Sequence, residues 1–155
     1  MYEVEVKTIP ETPLIFVPHQ GPYPEIGGAY ERLMGALIEQ GLLTGPRRML
    51  GIYYDDPSVV PAEQLRSRAA VAASGTETVA APLEKMVLPA GPVAVLHHKG
   101  PYSGLMAAYT WLYGEWLPGS GHTPADTPSY EEYLNSPQDT PPEDLLTDIH
   151  VPLTS

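Results

Sequence analysis

The pentapeptide HQGPY at residues 19–23 returns as HKGPY at residues 98–102, in a chain that contains only five histidines. The patterns around it return in the same order. "YEVEVKTI" and "PLIFVPH" are two strand-like runs split by the turn "PET". "PYPEIGGAYERLMGALIEQGLL" then sets Ile26, Tyr30, Leu33 and Leu37 at helical spacing, which predicts an amphipathic helix from near Pro22 to about Gly41. "RRMLGIYYDD" and "RSRAAVAAS" read as strands around the Pro-punctuated turn "PSVVPAEQL", and "GTETVAAP" as a connector. In the second half, "LEKMVLP" and "GPVAVLHH" are strands, and "PYSGLMAAYTWLYGEWL" is a helix. Its apolar set Leu105, Tyr109, Leu112 and Trp116 falls 79 positions after the first set. Beyond it, Tyr53 aligns with Tyr133, Pro57 with Pro137, Pro61 with Pro141 and Leu65 with Leu145, now 80 apart. One residue has entered, in the loop "GSGHTPADTP". The chain is an internal duplication with repeats of approximately 1–79 and 80–155, read as one domain over 1–155.

Each pentapeptide is the corner where a strand turns into the main helix of its repeat. Gly21 and Gly100 supply a permissive backbone, and Pro22 and Pro101 preset the first helical turn. His19 and His98 are read first as corner residues, with His98 kept as a candidate binding group. The adjacent His97 and His98 send their rings to opposite faces of a strand, and His122 and His150 have no matching spacing, so no metal site is expected.

The remaining composition narrows the function. Lys and Arg total 8 against 19 Asp and Glu, and a net charge of −11 opposes binding to phosphate backbones. There is no cysteine, which removes disulfides, thiolate nucleophiles and thiolate metal sites. "MYEVEVKTIP" alternates acidic and apolar residues, without the pattern of a signal peptide or membrane span, and a cytoplasmic setting is expected. No phosphate-binding glycine loop and no GxSxG elbow is present, and no cofactor is expected. "DDP" at 55–57 reads as a turn.

Residues that break the repeat are the informative ones. Glu131 stands where the first repeat has Gly51. Because alternate strand residues share a face, Glu131 lies with Tyr133, as Gly51 lies with Tyr53, while Glu132 faces the other way. A carboxylate and two tyrosines are expected to converge. Ten Tyr and two Trp against one Phe is a skewed choice that suits a half-wet cleft. Tyr30, Tyr109 and Trp116 are placed on the inner helical faces, with Tyr113 and Trp111 on the flanks. Such rings stack on planar ligands or hold cations. Ordinary helix-on-sheet packing is the first reading of Tyr30 and Tyr109, and accounts equally well for Trp116.

"HxGPY" at the corner, "GIYYDDP", "WLPGSG" and "YEEYLN" followed by "TDIHVPL" together resemble the GyrI-like family. That family contains effector-binding domains of AraC-type and related multidrug-sensing regulators and stand-alone relatives of the bacterial DNA gyrase inhibitor. The resemblance runs from about Val4 to Leu153. It implies an α+β fold: two strand-helix-strand-strand units joined by pseudo-twofold symmetry into an antiparallel sheet, with two main helices on one face. It also implies that Glu131 is the acidic residue of the ligand site. The chain starts at the first strand of such a module, which leaves no room for a helix-turn-helix domain, so it is not expected to be a transcription factor by itself.

Three functions fit. The first is binding of hydrophobic, cationic or planar aromatic small molecules by Glu131, Tyr133, Tyr53, Trp116, Tyr113, Tyr109, Tyr30 and His98. In the second, which the resemblance also implies, the chain is a hydrolase of cyclopropane-bearing DNA-alkylating compounds. Glu131 would then handle water, and Tyr53 and Tyr133 would hydrogen-bond the substrate. The third is a protein-binding inhibitor of gyrase, resting on fold resemblance alone. Binding and turnover need the same residues, and the sequence leaves both open. The acidic balance makes one firm expectation: the isolated chain does not retard duplex DNA at physiological salt. A salt-sensitive mobility shift at low protein concentration would overturn it.

Overall fold

Eight strands and two main helices form where the alternating and helical patterns place them, in a computed structural model that describes residues 2–43 and 48–154. The strands are β1 (Glu3–Ile9), β2 (Thr12–Gln20), β3 (Met49–Tyr53), β4 (Arg66–Ala72), β5 (Glu84–Leu88), β6 (Gly91–Lys99), β7 (Ser129–Tyr133) and β8 (Leu146–Pro152). The helices are α1 (Gly27–Glu39) and α2 (Leu105–Trp111), the latter continued by a π-helical segment (Leu112–Trp116) and α3 (Leu117–Ser120). "PSVVPAEQL" holds a short 3-10 turn at Ala62–Gln64, and "GTETVAAP" contains no regular element, as expected. The expected start of β3 at Arg47 lies outside the described residues.

The chain divides into two compact units, and the repeat boundaries are not the unit boundaries. One unit is Glu11–Pro89; the other joins the segment up to Pro10 to the segment from Ala90 onward. In the first unit the strand order is β3-β4-β2-β5, and in the second β7-β8-β6-β1, with antiparallel pairing throughout. Strand β1, adjacent to β2 in sequence, pairs with β6 (Val6 opposite Ala94), while β5 pairs with β2 (Val87 opposite Pro13). Each unit thus contains one strand-helix-strand-strand run plus the leading strand of the other repeat. The fold class is α+β.

In the first unit, Ala29, Leu33, Ala36 and Leu37 of α1 bury one stripe against Ile15 and Val17 of β2 and Ala69 and Val71 of β4. In the second, Ala108, Leu112 and Leu117 cover Ala94 and Leu96 of β6 and Ile149 and Val151 of β8. The step from Leu112 to Leu117 is five residues, one more than an α-turn needs. This is the effect of the π segment. Uninterrupted α-helix would have put Trp116 in that place. Leu117 takes it, and Trp116 is left half-buried at the edge, its ring stacked 6.2 Å from that of His122. The expected common face of Leu105, Tyr109, Leu112 and Trp116 still meets this core, with Leu117 added to it as a buried member. Trp111, expected on the flank, also packs against this core, 5.2 Å from the Tyr2 ring.

The two corners are built alike. Gly21 (φ 129°) and Gly100 (φ 137°) take a backbone conformation that side chains oppose, and their amides donate to Leu65 O and Leu145 O. His19 and His98 each donate a ring Nε2–H to the carbonyl three residues on, Pro22 O or Pro101 O, at 3.3 Å in both cases. His97 points to the opposite face, between Asp148 Oδ1 (2.7 Å) and Glu5 Oε1 (3.1 Å), and so ties β1, β6 and β8 together.

The corners differ in their tyrosines. Tyr23 donates to Asp55 O (2.9 Å) and Arg66 O (3.1 Å) and accepts from the Asp55 amide. Its equivalent, Tyr102, has no hydrogen-bond partner among the described residues. Tyr23→Phe is therefore expected to lower the unfolding free energy by about 1 kcal/mol, the usual worth of such bonds. Tyr102→Phe is expected to change it by less than about 0.5 kcal/mol. Urea unfolding of both variants is the check, and equal losses would contradict the assignment.

Candidate functional site

Glu131 stands at the middle of β7, opposite Ile149 of β8, on the face that the helix covers. Only 6% of it is exposed. Its two carboxylate oxygens are each bonded: Tyr109 of α2 donates to Oε2 at 2.7 Å, and Tyr133, two residues along the strand, to Oε1 at 2.9 Å. Strand parity, read from the sequence, thus brings Tyr133 to the carboxylate. Helical spacing brings Tyr109.

Two more phenols complete the group. Tyr102 meets Tyr133 edge-on, with ring centroids 5.7 Å apart, and Tyr113 lies nearly parallel to Tyr109 at 6.4 Å. Both are partly open to solvent, Tyr102 at 37% and Tyr113 at 42%. The result is a carboxylate held by two hydroxyls and walled by four rings, with the outer two exposed.

Burial raises the Glu131 carboxyl above its ordinary value, and the hydrogen bonds from Tyr109 and Tyr133 only partly oppose that shift. Removing a carboxylate from water costs several kcal/mol in typical cases, whereas each hydroxyl bond to a charge returns roughly 1.5–3 kcal/mol. The ionised form thus remains under-compensated in the free protein. Burial and the Glu131 charge together raise the Tyr102 phenol, so Tyr102 remains a neutral donor.

The other expected site residues lie as follows. His98 is 8% exposed and locked in its corner: its ring packs against Gly104, where a Cβ would come within 3.2 Å of Cε1. Its ring nitrogen is used by Pro101, so it serves the fold. Trp116 stacks on His122, as described above. Tyr30 and Tyr53 belong to the first unit. There Tyr30 donates to Leu50 O at 2.6 Å, and Tyr53 meets Tyr23 edge-on at 4.8 Å. Tyr23, Tyr30 and Tyr53 repeat the places of Tyr102, Tyr109 and Tyr133, around Gly51 in place of Glu131. "DDP" is a turn, with Asp55 paired to Arg66 and Asp56 bonded to Ser58. Sequence reasoning passed over Tyr102, although it ends the repeated pentapeptide. Its signal was that Arg66, beside which Tyr23 docks, has become Leu146 in the second repeat.

Fold and cluster together define a class: an α+β chain built twice from one plan, with a carboxylate among phenols under one of its helices. Residues 2–154 match the family described as the GyrI-like small molecule binding domain, and the chain belongs to that family. A protein of Yersinia enterocolitica named DNA gyrase inhibitor is 32% identical over 121 residues, covering 74% of this chain and 75% of its own. Among solved structures, the EcmrR C-terminal domain is similar with a TM-score of 0.78 at 21% identity, over 100% of this chain and 99% of its own. In the EcmrR–DNA complex this chain spans only 58% of the EcmrR chain. A Listeria innocua protein described as a hydrolase has a TM-score of 0.73 at 14% identity, over 98% and 92% of the two chains. A protein solved with tetraphenylphosphonium has a TM-score of 0.64 at 16% identity, over 99% and 94%. No helix among the described residues is long and apolar enough to cross a membrane.

The raised Glu131 carboxyl makes a signed prediction. A carboxyl whose folded value lies above its unfolded one costs stability above the folded value. That cost disappears as the pH falls to the unfolded value of about 4.3. Glu131→Gln is thus expected to be more stable than the parent at pH 7, with the difference shrinking as pH falls toward that value. Denaturant unfolding of both proteins from pH 7.5 to 4.5 reads this directly. A variant less stable at pH 7 would show that the hydrogen bonds outweigh burial.

Proposed function

We propose that this small-molecule-binding chain takes up hydrophobic cations with aromatic bodies, using Glu131 as the counter-charge and Tyr102, Tyr109, Tyr113 and Tyr133 as the aromatic surround. One observation carries the reading: a carboxylate only 6% exposed whose hydrogen-bond partners among the described residues are neutral hydroxyls. A group that is under-compensated in the free protein gains most from an arriving cation. Tyrosine faces add cation–π attraction of about 0.5–2 kcal/mol. The similar protein solved with tetraphenylphosphonium, a cation clothed in phenyl rings, supports this ligand chemistry. Trp116, Tyr53, Tyr30 and His98 are given no direct role at Glu131.

A second reading is favoured by the same raised carboxyl. A carboxyl shifted toward neutrality and oriented by two phenols suits proton transfer, and the similar Listeria innocua protein is described as a hydrolase. In that reading Glu131 takes a proton from water as the water oxygen bonds to a cyclopropane carbon and that carbon's ring C–C bond breaks; the released electron pair passes into the conjugated body of the substrate, which regains the proton, with Tyr133 holding the substrate.

Titration separates the two readings. For counter-charge binding, Glu131→Gln weakens tetraphenylphosphonium by about 10-fold or more, the equivalent of at least 1.4 kcal/mol, and leaves neutral triphenylphosphine oxide within about twofold. For catalysis, the variant still binds a cyclopropane-bearing alkylator while product formation falls by roughly 10²- to 10⁴-fold. Equal loss of cation and neutral ligand would reject the counter-charge role. Absence of product from the parent protein would reject the hydrolase.

A further inference from the structure

The hydroxyls around Glu131 are unequally engaged. Those of Tyr109 and Tyr133 are given to the carboxylate, at 2.7 and 2.9 Å. Tyr102 is different. Its ring sits against Tyr133 and is 37% exposed, and its hydroxyl has no partner among the described residues.

The other repeat shows that this is a departure from a common plan. At the equivalent corner, Tyr23 is fixed by Asp55 and Arg66 through three hydrogen bonds. The backbone that provides that dock is present in both units: Tyr54 N donates to Arg66 O at 3.1 Å, and Leu134 N donates to Leu146 O at 3.0 Å. Yet Tyr102 does not dock there. Its ring contact with Tyr133 is also looser, 5.7 Å against 4.8 Å for Tyr23 with Tyr53. Its turn, by contrast, is held firmly, since Gly104 N donates to Pro101 O at 2.9 Å and the same carbonyl accepts from His98. A fixed backbone therefore carries a side chain that no hydrogen bond among the described residues holds, next to a buried carboxylate.

We propose that Tyr102 is the specificity-determining residue of the Glu131 site: an adjustable wall that closes on a bound aromatic cation and donates its hydroxyl to an acceptor on that cation. The inference rests on the counter-charge reading above. It narrows the ligand class to aromatic cations carrying an ether, carbonyl or similar acceptor besides the charge. Because Tyr109 and Tyr133 spend their donors on Glu131, and the Tyr113 hydroxyl is engaged by Ser129, Tyr102 is the donor in this group left for the ligand. Its exposure lets the ring move without disturbing the core.

A matched pair of probes tests this: tetraphenylphosphonium, which has no acceptor, and (4-methoxyphenyl)triphenylphosphonium, which adds one. For the parent protein the methoxy probe is expected to bind more tightly. Tyr102→Phe should remove that preference, by about 3- to 10-fold, while leaving tetraphenylphosphonium within about twofold. Tyr102→Ala should weaken both probes by about 3-fold or more through loss of the ring. Unchanged urea unfolding in Tyr102→Phe shows that the loss is not one of folding. Glu131→Gln is measured beside them. If it weakens both cations while neither Tyr102 variant changes either affinity, the counter-charge stands and the Tyr102 inference is overturned. If the parent binds neither probe, or Glu131→Gln has no effect, the counter-charge reading fails and the inference fails with it.

Discussion

The strand-to-helix corner sets the geometry on which everything else depends. At Gly100 the chain must adopt φ 137°, and at Pro101 it must present a carbonyl to the His98 ring. Those two demands fix the direction in which α2 leaves β6, and with it the distance from Tyr109 to β7. A side chain at Gly100 would strain the backbone, and one at Gly104 would press on His98. The histidine thus works as a spacer that is hydrogen-bonded on one side and packed by glycine on the other. Its conserved place within both pentapeptides of this chain follows from the bend being made twice. Burial among these groups also explains why its chemistry is spent on the fold.

Given that corner, the placement of Glu131 becomes a matter of energy. A residue at this position in β7 faces the helix because Ile149, directly opposite, belongs to the apolar core. A glycine satisfies such a place, as Gly51 does in the first unit. A glutamate there must be held by something, and Tyr109 and Tyr133 supply one hydroxyl to each oxygen. Neutral donors reduce the penalty without cancelling it, so the carboxyl stays above its ordinary value. An arginine or lysine in place of either tyrosine would have stabilised the ionised form and closed the site to an outside cation. The choice of phenols keeps the charge in place and still available.

Much of this was legible in the sequence because duplication doubles every pattern. The helix faces of Leu33 with Leu37 and of Ala108 with Leu112, the two corners and the Glu131 substitution could all be read by aligning the chain with itself. Tyr133 followed from strand parity. What could not be read has identifiable causes. The exchange of β1 and β5 between repeats depends on which strand edges meet, and adjacent strands such as β1 and β2 carry no local mark of that choice. The π segment inserts one residue into the helical count after Leu112, so a constant 3.6-residue period puts Trp116 where Leu117 lies. Trp116 still packs against the core, with its ring stacked on that of His122. Tyr102 was hidden by its own motif, since a tyrosine present in both corners reads as part of the corner.

The contrast between Tyr23 and Tyr102 shows how a repeat becomes a site. Both tyrosines begin the same 3-10 turn, after the same His-x-Gly-Pro. In the first unit the side-chain environment includes Asp55 locked to Arg66 by hydrogen bonds from both its backbone and guanidinium. In the second, Asn135 stands in the place of Asp55 and bonds the backbone of Asp144 and Leu146, and Leu146 brings no guanidinium where Arg66 has one. Without that dock Tyr102 is left unbonded at little cost to the fold, because the turn beneath it is still held by Pro101, Gly104 and His98. The glutamate arrives in that same unit, two residues from Tyr133, against which Tyr102 packs. One unit thus keeps the hydrogen-bonded version of the corner tyrosine, and the other combines an unbonded one with a buried carboxyl. On the proposed reading, function is carried by the differences between the halves, and the features they share serve to hold those differences in place.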